Sequence, residues 1–156
     1  MPLKITDFLS PENCMASLAS SEKEEALREM TAHVRIGGGP VEVETVYNAL
    51  IEREKLGSTG IGEEVAIPHA KIKGLPPLVG AFARSEKGIE YHSVDDKPVK
   101  WIFLLLASDN STGSHLKALA RISRLMKSKS LREKMKNAGS AEDIYALITE
   151  EDEKLG

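Results

Sequence analysis

Residues 99–107 have the sequence Val-Lys-Trp-Ile-Phe-Leu-Leu-Leu-Ala, which is apolar at every position except Lys100. A nearly continuous apolar run of this length is typical of a β-strand that is covered on both faces. Polar and glycine-containing segments flank the run, and helical patterns lie on either side of it along the chain. The stretch therefore predicts the central strand of an α/β fold.

Five helices are predicted around this strand. Ser21 and Glu24 have the spacing of a capping box, and the apolar positions that follow recur at helical intervals. The predicted helices begin near Ser21, near Glu42, after the polar turn 109–114, around Leu131 and at Ser140. The first is expected to end at the glycine-rich stretch 37–40, and the second at about Lys55.

Three further strands are predicted from shorter apolar runs. They are Val65–Ile67, Leu78–Ala83 and a short edge strand at Ile89–His92. The stretch Ser58–Gly62 is polar and rich in glycine, which predicts a loop before the first of these strands. The pattern does not determine the order of the strands in the sheet.

The composition argues against binding to nucleic acid. The 156 residues include 21 Lys and Arg against 24 Asp and Glu, which gives a net charge of −3. Such a chain has no basic field to attract a phosphate backbone, and its few, scattered aromatic residues provide no stacking platform for bases. The single cysteine, Cys14, excludes an intramolecular disulfide and is interpreted as a small apolar residue.

No targeting or membrane segment is recognised. The chain begins Met-Pro-Leu-Lys-Ile-Thr-Asp, without a basic stretch leading into a long apolar one. The longest apolar run, 101–107, is far shorter than the ~20 residues needed to cross a bilayer. We therefore expect a cytoplasmic protein without direct membrane insertion.

Two of the four histidines occupy positions suited to chemistry. His69 ends the strand pattern Val-Ala-Ile-Pro-His-Ala beside the glycine-rich loop, where α/β folds usually place ligands. His115 lies in the first turn of the third predicted helix, where free backbone N–H groups favour an anion. His33 and His92 are interpreted as surface residues. The alternative is that His69 and His115 are two unrelated polar residues.

The sequence contains none of the common motifs of a zinc site, a serine hydrolase or a P-loop. No pair of histidines has the helical i,i+4 spacing of a zinc motif, and there is no Cys-x-x-Cys. The Gly-x-Ser-x-Gly elbow of a serine hydrolase is missing, and no Gly-Lys-Ser/Thr follows the loop 57–62. We therefore predict neither a metal ion nor a cofactor.

The segment Glu-Arg-Glu-Lys-Leu-Gly-Ser-Thr-Gly-Ile-Gly-Glu-Glu-Val-Ala-Ile-Pro-His, residues 52–69, is specific when taken as a whole. It closely resembles the phosphorylation-site signature of enzyme IIA proteins of the fructose, mannitol and nitrogen-regulatory class, in the bacterial phosphoenolpyruvate-dependent phosphotransferase system. The resemblance continues in 3–11, 98–107 and 113–120. It implies that residues 1–156 form one enzyme IIA domain with a mixed β-sheet flanked by helices.

The resemblance also implies a phosphotransferase that works through a phosphohistidine. His69 matches the phosphorylated histidine, Arg53 the arginine that contacts the phosphoryl group, and His115 the second histidine of the site. The loop residues assigned to the phosphoryl group are Ser58, Thr59, Gly60 and Gly62. Taken alone, Arg53 could instead be a solvated charge at the end of a helix. The family often has glycine where this chain has Glu64, and a second carboxylate, Glu63, precedes it.

The implied partners are proteins. The phosphoryl donor would be HPr or its nitrogen-type paralogue, and the acceptor either an enzyme IIB or a regulatory target. No IIB, membrane IIC or HPr segment is attached, which favours the nitrogen-regulatory type over a sugar-specific one. Candidates for an apolar docking patch are Ile61, Ile67, Leu75 and Leu78. The alternative is that each of these residues belongs to the core.

Overall fold

The computed structural model describes residues 3–37 and 39–155, in which a mixed sheet of six strands lies between two groups of helices. Its strands are β1 (Cys14–Met15), β4 (Gly60–Gly62), β5 (Val65–Ala66), β6 (His69–Lys71), β7 (Leu78–Ile89) and β8 (Val99–Ala107). The strands β2 (Arg35–Ile36) and β3 (Gly39–Pro40) form a separate antiparallel pair. The helices are α1 (Lys23–His33), α2 (Val43–Lys55), α3 (Thr112–Met126), α4 (Lys129–Lys136) and α5 (Ala141–Lys154).

Strand β8 is the centre of the sheet. It pairs antiparallel with β7 on one side, and β7 pairs parallel with β1. On its other side β8 pairs in parallel with two short strands in succession, first β5 and then β6. Strand β4 completes the sheet by pairing antiparallel with β5. The predicted class, a single α/β domain with a mixed sheet flanked by helices, is confirmed.

Both faces of β8 are covered, as its composition predicts. Ile102 and Leu104 belong to an apolar cluster that packs against α1 and α2. Trp101 and Phe103 belong to a second cluster, which packs against α3, α4 and α5. All four side chains are buried, so the two clusters form one apolar layer on each face of the sheet.

The predicted capping box at Ser21 is wrong. Helix α1 begins at Lys23, and its N-cap residue is Glu22. The carbonyl of Ser21 instead accepts a hydrogen bond from the N–H of Glu90 at 2.8 Å, which holds the chain extended beside the end of β7. The prediction at Ser140 is confirmed, since its hydroxyl oxygen accepts from the backbone N–H of Asp143 at 3.1 Å.

The predicted edge strand at Ile89–His92 is also wrong. Ile89 is the last residue of the twelve-residue strand β7, which continues past the predicted end at Ala83. The register with β8 shifts between Arg84 and Ile89, and the polar stretch 85–88 lies in this irregularity. That polar stretch interrupts the apolar pattern without ending the strand.

The glycine-rich segment is partly a strand, and His69 begins a strand rather than ending one. Gly60 belongs to β4, and a Cβ there would clash with the side chain and Cα of Ser93, so only glycine fits without rearrangement. Pro68 separates β5 from β6 because it has no N–H for the ladder. Its carbonyl still accepts from the N–H of Leu105 at 2.9 Å, so the chain stays beside β8.

Glu63 and Glu64 form the turn between β4 and β5, both with positive φ. The Glu63 carboxylate lies 3.6 Å from Arg132, and the Glu64 carboxylate lies 3.6 Å from Lys100. The turn lies beside residues 100–101 of β8, whereas His69 pairs with residue 105, about 13 Å further along at the usual rise per residue. These carboxylates therefore face their own basic partners. The positive φ at Glu64 is a conformation that glycine adopts readily, which agrees with the glycine that the family often has at this position.

Candidate functional site

Three residues that are far apart in the sequence line one cavity of about 540 Å³. Arg53 comes from the last turn of α2, His69 begins β6, and His115 lies in the first turn of α3. The lining residues are Ala49, Glu52, Arg53, Leu56, His69, Ala70, Lys71, His115, Leu116 and Leu119. This set is called the His69 cavity below. The structure thus brings together the three residues that the sequence singles out.

The ring of His69 is held in one tautomer. Its Nδ1 lies 2.7 Å from the carbonyl oxygen of Ile67, and a carbonyl only accepts, so Nδ1 carries the hydrogen. Nε2 therefore has the free lone pair. Burial lowers the pKa of His69, and the nearby Arg53 guanidinium lowers it further. The hydrogen bond to Ile67 and the charge of Glu54 raise the pKa, but the net shift is downward. The ring is neutral and nucleophilic at pH 7.

His115 is more deeply buried than His69, with 5% of its surface exposed. Burial, together with repulsion from His69 and Lys71, lowers its pKa to about 4. The two imidazole rings meet edge to face, with centroids 5.5 Å apart and planes at 64°. Within the described residues Nε2 of His115 is buried and has no hydrogen-bond partner, although buried polar atoms usually have one.

Arg53 is fixed by the turn that ends its own helix. One guanidinium nitrogen donates to the carbonyl oxygen of Gly57 at 2.8 Å. The backbone N–H of Leu56 bonds back to the Arg53 carbonyl at 3.1 Å, which tightens the same turn. A guanidinium has five N–H groups, so this arrangement leaves donors for an anion at the His69 cavity.

The four predicted loop residues lie outside the lining of this cavity. The hydroxyl of Ser58 accepts from the N–H of Gly60 at 3.0 Å, and Gly62 ends β4. Thr59 is buried, and its hydroxyl contacts the Glu54 carboxylate and, at 2.9 Å, the hydroxyl of Tyr91. Direct contact between these loop residues and a phosphoryl group stays a prediction.

The comparison with known proteins identifies the family. The sequence model described as "Phosphoenolpyruvate-dependent sugar phosphotransferase system, EIIA 2" matches residues 7–151. The chain belongs to this EIIA 2 family. It is 39% identical to a nitrogen regulatory protein of Bradyrhizobium diazoefficiens over 146 residues, which cover 94% of this chain and 95% of that protein.

Two further relatives of this EIIA 2 protein differ in their named roles. The crystal structure of nitrogen regulatory protein IIA-Ntr from Neisseria meningitidis has a TM-score of 0.84 and 33% identity, covering 93% of this chain and 99% of that one. The fructose-specific EIIABC component of Bacillus subtilis is 33% identical over 96% of this chain and 24% of that protein. This EIIA 2 protein is therefore a phosphoryl-transfer protein of the phosphotransferase system.

Two exposed leucines border the His69 cavity of this EIIA 2 protein, and the sequence analysis missed both. Leu56 is 84% exposed and Leu116 is 62% exposed. None of the four predicted docking residues lines the cavity, and one of them, Ile67, is buried in the core. The available signals were weak: Leu56 is a leucine between a helix end and Gly57, and Leu116 follows His115 directly.

The remaining sequence candidates lie elsewhere. His92 is exposed, and Nε2 of His33 lies 3.0 Å from the carbonyl oxygen of Glu12. Cys14 is buried, and burial raises the pKa of its thiol to about 12. Across residues 3–37 and 39–155, no group of three or more His, Cys, Asp or Glu side chains could hold a metal ion, and no helix is long and apolar enough to span a membrane.

The stability of this EIIA 2 protein is expected to fall on acidification because of His115. In the unfolded chain His115 takes up a proton near its ordinary pKa of 6.5, whereas in the folded chain it does so only at about 4. The unfolded state therefore binds more protons as the pH falls through this window. We expect His115 to account for a loss of about 1 kcal/mol between about pH 7.5 and about pH 5.5.

Urea unfolding at the two pH values measures this loss. A His115→Asn variant cannot titrate at this position and should lose less stability on acidification than the wild type. Equal losses in the two proteins would contradict the assignment, since they would show that His115 has the same pKa folded and unfolded.

Proposed function

We propose that this chain is a cytoplasmic histidine phosphocarrier that accepts a phosphoryl group on Nε2 of His69 and passes it to a second protein. The observation that carries the proposal is the tautomer of His69. Nδ1 is committed to the carbonyl of Ile67, so Nε2 is the nitrogen with a lone pair, in a ring that lines an open cavity. Residues 1–156 would act as one enzyme IIA domain without a metal or cofactor.

The transfer step requires little covalent chemistry from the protein. The Nε2 lone pair of His69 attacks phosphorus, the bond between phosphorus and the donor breaks, and the donor keeps the electron pair of that bond. The hydrogen on Nδ1 stays in its bond to Ile67, so no base is needed to prepare the nucleophile. Positioning and charge stabilisation supply most of the rate in reactions of this kind.

Arg53 and His115 are the two groups that would stabilise the transferred phosphoryl oxygens. The Arg53 guanidinium supplies a delocalised positive charge and N–H donors in a planar fork that matches phosphoryl oxygens. His115 is neutral at pH 7, and its buried Nε2 can donate a hydrogen bond when it carries the ring hydrogen. Both groups line the cavity without a donor present, which supports a preorganised site.

Donor and acceptor would dock on the apolar border of the cavity. Leu56 and Leu116 present exposed apolar surface at the border of the cavity, which Leu119 also lines. Fully desolvated apolar residues at the centre of an interface supply much of its binding energy. We propose HPr or its nitrogen-type paralogue as the donor on this surface.

We further propose a regulatory role, in which the phosphorylation state of His69 controls docking to target proteins. The supporting observation is that nearly the whole chain aligns with nearly the whole of nitrogen regulatory proteins. The alternative is a sugar-specific role with transfer to an enzyme IIB, favoured by the match to a fructose-specific EIIABC component.

A phosphotransfer assay tests the proposal. The protein is incubated with phosphoenolpyruvate, enzyme I and HPr, or with the nitrogen-type counterparts of these carriers, and its intact mass is recorded. We expect the wild type to gain one acid-labile phosphoryl group and a His69→Ala variant to gain none. His92→Ala, which removes an exposed histidine elsewhere, serves as the matched control and should behave as the wild type.

The two roles differ in the fate of the phosphoryl group. Incubation of the phosphorylated protein with purified enzyme IIB would transfer the group in the sugar-specific case. Retention on His69, with phosphorylation-dependent capture of a defined regulatory target, supports the regulatory role. Absence of phosphorylation with both kinds of donor, each shown to be charged, would contradict the phosphocarrier proposal.

A further inference from the structure

A buried polar cluster lies beside the His69 cavity and takes no part in the chemistry proposed above. Nζ of Lys23 lies 3.0 Å from a carboxylate oxygen of Glu54, and their side chains are only 9% and 5% exposed. The hydroxyl of Tyr91 donates to the other carboxylate oxygen at 3.2 Å. The Lys23 ammonium also lies 4.6 Å from the centre of the Tyr91 ring. This set, completed by Thr59, is called the Glu54 cluster.

A buried ion pair is not an efficient way to stabilise a fold. Removing two charges from water costs free energy that their attraction only partly returns, so an apolar pair of similar size often gives equal or greater stability. The Lys23–Glu54 pair joins the first residue of α1 to the last turn of α2, where apolar side chains would also pack. A role in positioning other groups is a physical reason for such a pair in this place.

A continuous series of hydrogen bonds connects the Glu54 cluster to the ring of His69. The Glu54 carboxylate accepts from the backbone N–H of Thr59 at 3.1 Å and contacts its hydroxyl. The Thr59 carbonyl accepts from the N–H of Ile67 at 3.0 Å. The Ile67 carbonyl then accepts from Nδ1 of His69 at 2.7 Å. Each bond fixes the group that makes the next one.

The same carboxylate also restrains the turn that holds Arg53. Glu54 follows Arg53 directly, and its bonds to Thr59 close the loop 54–59. Within that loop the Gly57 carbonyl accepts from the Arg53 guanidinium, and the Gly57 N–H bonds to the Glu54 carbonyl at 3.1 Å. The position of the arginine and the orientation of the histidine therefore depend on one buried carboxylate.

We propose that Glu54, held in place by Lys23, is a positioning residue that orients His69 through Thr59 and Ile67 and fixes the turn of Arg53. The inference rests on the proposed function, because positioning matters only if His69 accepts a phosphoryl group. It assigns Thr59 a role as a relay between Glu54 and Ile67, rather than as a direct contact of the phosphoryl group. Lys23 and Tyr91 hold the buried carboxylate in place beside Thr59.

Charge provides a second connection between Glu54 and His69. The titratable and charged groups around His69 are Glu52 and Arg53 on α2, Lys71 on its own strand and His115 on α3. The Arg53 guanidinium lowers the pKa of His69, and the Glu54 carboxylate raises it. Loss of Glu54 should therefore lower the pKa of His69, a change that loss of stability alone would not cause.

The test replaces the buried pair by apolar side chains of similar length, in a Lys23→Met/Glu54→Met variant. This change removes the acceptor for Thr59 without leaving a buried unpaired charge, so the protein is expected to fold. We expect phosphoryl acceptance to slow by about 10- to 100-fold, by analogy with the loss of an outer-shell partner that orients a metal-binding histidine. NMR titration of the unphosphorylated protein should show a lower pKa for His69.

Two further variants separate positioning from stability. Lys23→Met/Glu54→Gln keeps one acceptor oxygen for the Thr59 N–H and should recover part of the rate. Asp152→Asn disrupts a second deeply buried ion pair, Arg121–Asp152, whose side chains are 8% and 2% exposed. It should destabilise the fold while leaving the acceptance rate and the pKa of His69 near those of the wild type.

The outcomes distinguish this inference from the proposed function. A wild-type rate and an unchanged His69 pKa in the double methionine variant would overturn the positioning role, as would an equal loss of rate in Asp152→Asn. If the wild type accepts no phosphoryl group, the proposed function fails. The NMR titration then decides the positioning role alone: a lowered His69 pKa with loss of the Nδ1 hydrogen bond supports it, and an unchanged ring overturns it.

Discussion

Replacement of Arg53 by methionine is expected to slow phosphoryl acceptance by about 100- to 1000-fold, which is the usual effect of removing one preorganised donor from a developing anion. The guanidinium lies at the His69 cavity in a turn that its own bond to Gly57 helps to hold. Methionine preserves much of the side-chain length and packing but offers no donor and no charge. The pKa of His69 should also rise towards its ordinary value, because the arginine lowers it.

Single-turnover phosphorylation by charged HPr, or by its nitrogen-type paralogue, measures this effect. Arg124→Met is the matched control, since it removes an exposed arginine from the last turn of α3, whereas His115 lies in the first turn of that helix. The control should keep the wild-type rate, and both variants should unfold at nearly the wild-type urea concentration. An Arg53→Met protein that accepts the phosphoryl group at the wild-type rate would contradict the role of Arg53.

Asp152→Ala is expected to reduce the free energy of unfolding by about 3 to 5 kcal/mol, the usual cost of breaking a buried ion pair by removing one partner. One carboxylate oxygen of Asp152 accepts from Nε of Arg121 at 2.7 Å, and the other accepts from the backbone N–H of Ile5 at 2.9 Å. The substitution leaves a buried guanidinium charge and a buried N–H without these acceptors.

Urea unfolding followed by circular dichroism measures this loss of stability. Glu150→Ala removes an exposed carboxylate from the same helix and should change the free energy of unfolding by no more than about 0.5 kcal/mol. A change of similar size in Asp152→Ala would show that the contacts of Asp152 do not stabilise the fold.

The fold class was predictable because the central strand, β8, is buried on both faces. Residues 99–107 have to be apolar whichever face they contact, so the run is visible without knowledge of its partners. The helices were visible for a related reason, since each has one apolar face that recurs at helical spacing. The N-cap at Ser140 was also predictable, because Asp143 follows it at the spacing of a capping box.

The shorter strands depend on partners that a local pattern does not contain. Strands β4, β5 and β6 have two or three residues each, too few for an alternating pattern. Their pairing follows from the position of β8 and from the break at Pro68. The cap at Ser21 failed for a similar reason, because its backbone pairs with Glu90, which is distant in the sequence.

The residues of the site also differ in how far the sequence predicts them. Their positions in the predicted elements singled out His69 and His115, and the resemblance to enzyme IIA proteins added Arg53 and implied the role of each. The Glu54 cluster was missed because Lys23, Glu54 and Tyr91 are spread over three separate segments of the chain. Nothing in the sequence shows that a lysine and a glutamate will be buried together, since such residues are mostly exposed unless they are paired.

The most direct test of the central claim is the position of the phosphoryl group on the ring of His69. Long-range nitrogen–proton NMR of the phosphorylated protein, with nitrogen-15 in its histidines, separates the two ring nitrogens. The hydrogen bond from Nδ1 to the Ile67 carbonyl predicts phosphorylation at Nε2, with the hydrogen still on Nδ1. A phosphoryl group on Nδ1 of His69, or on any other residue, would contradict this account.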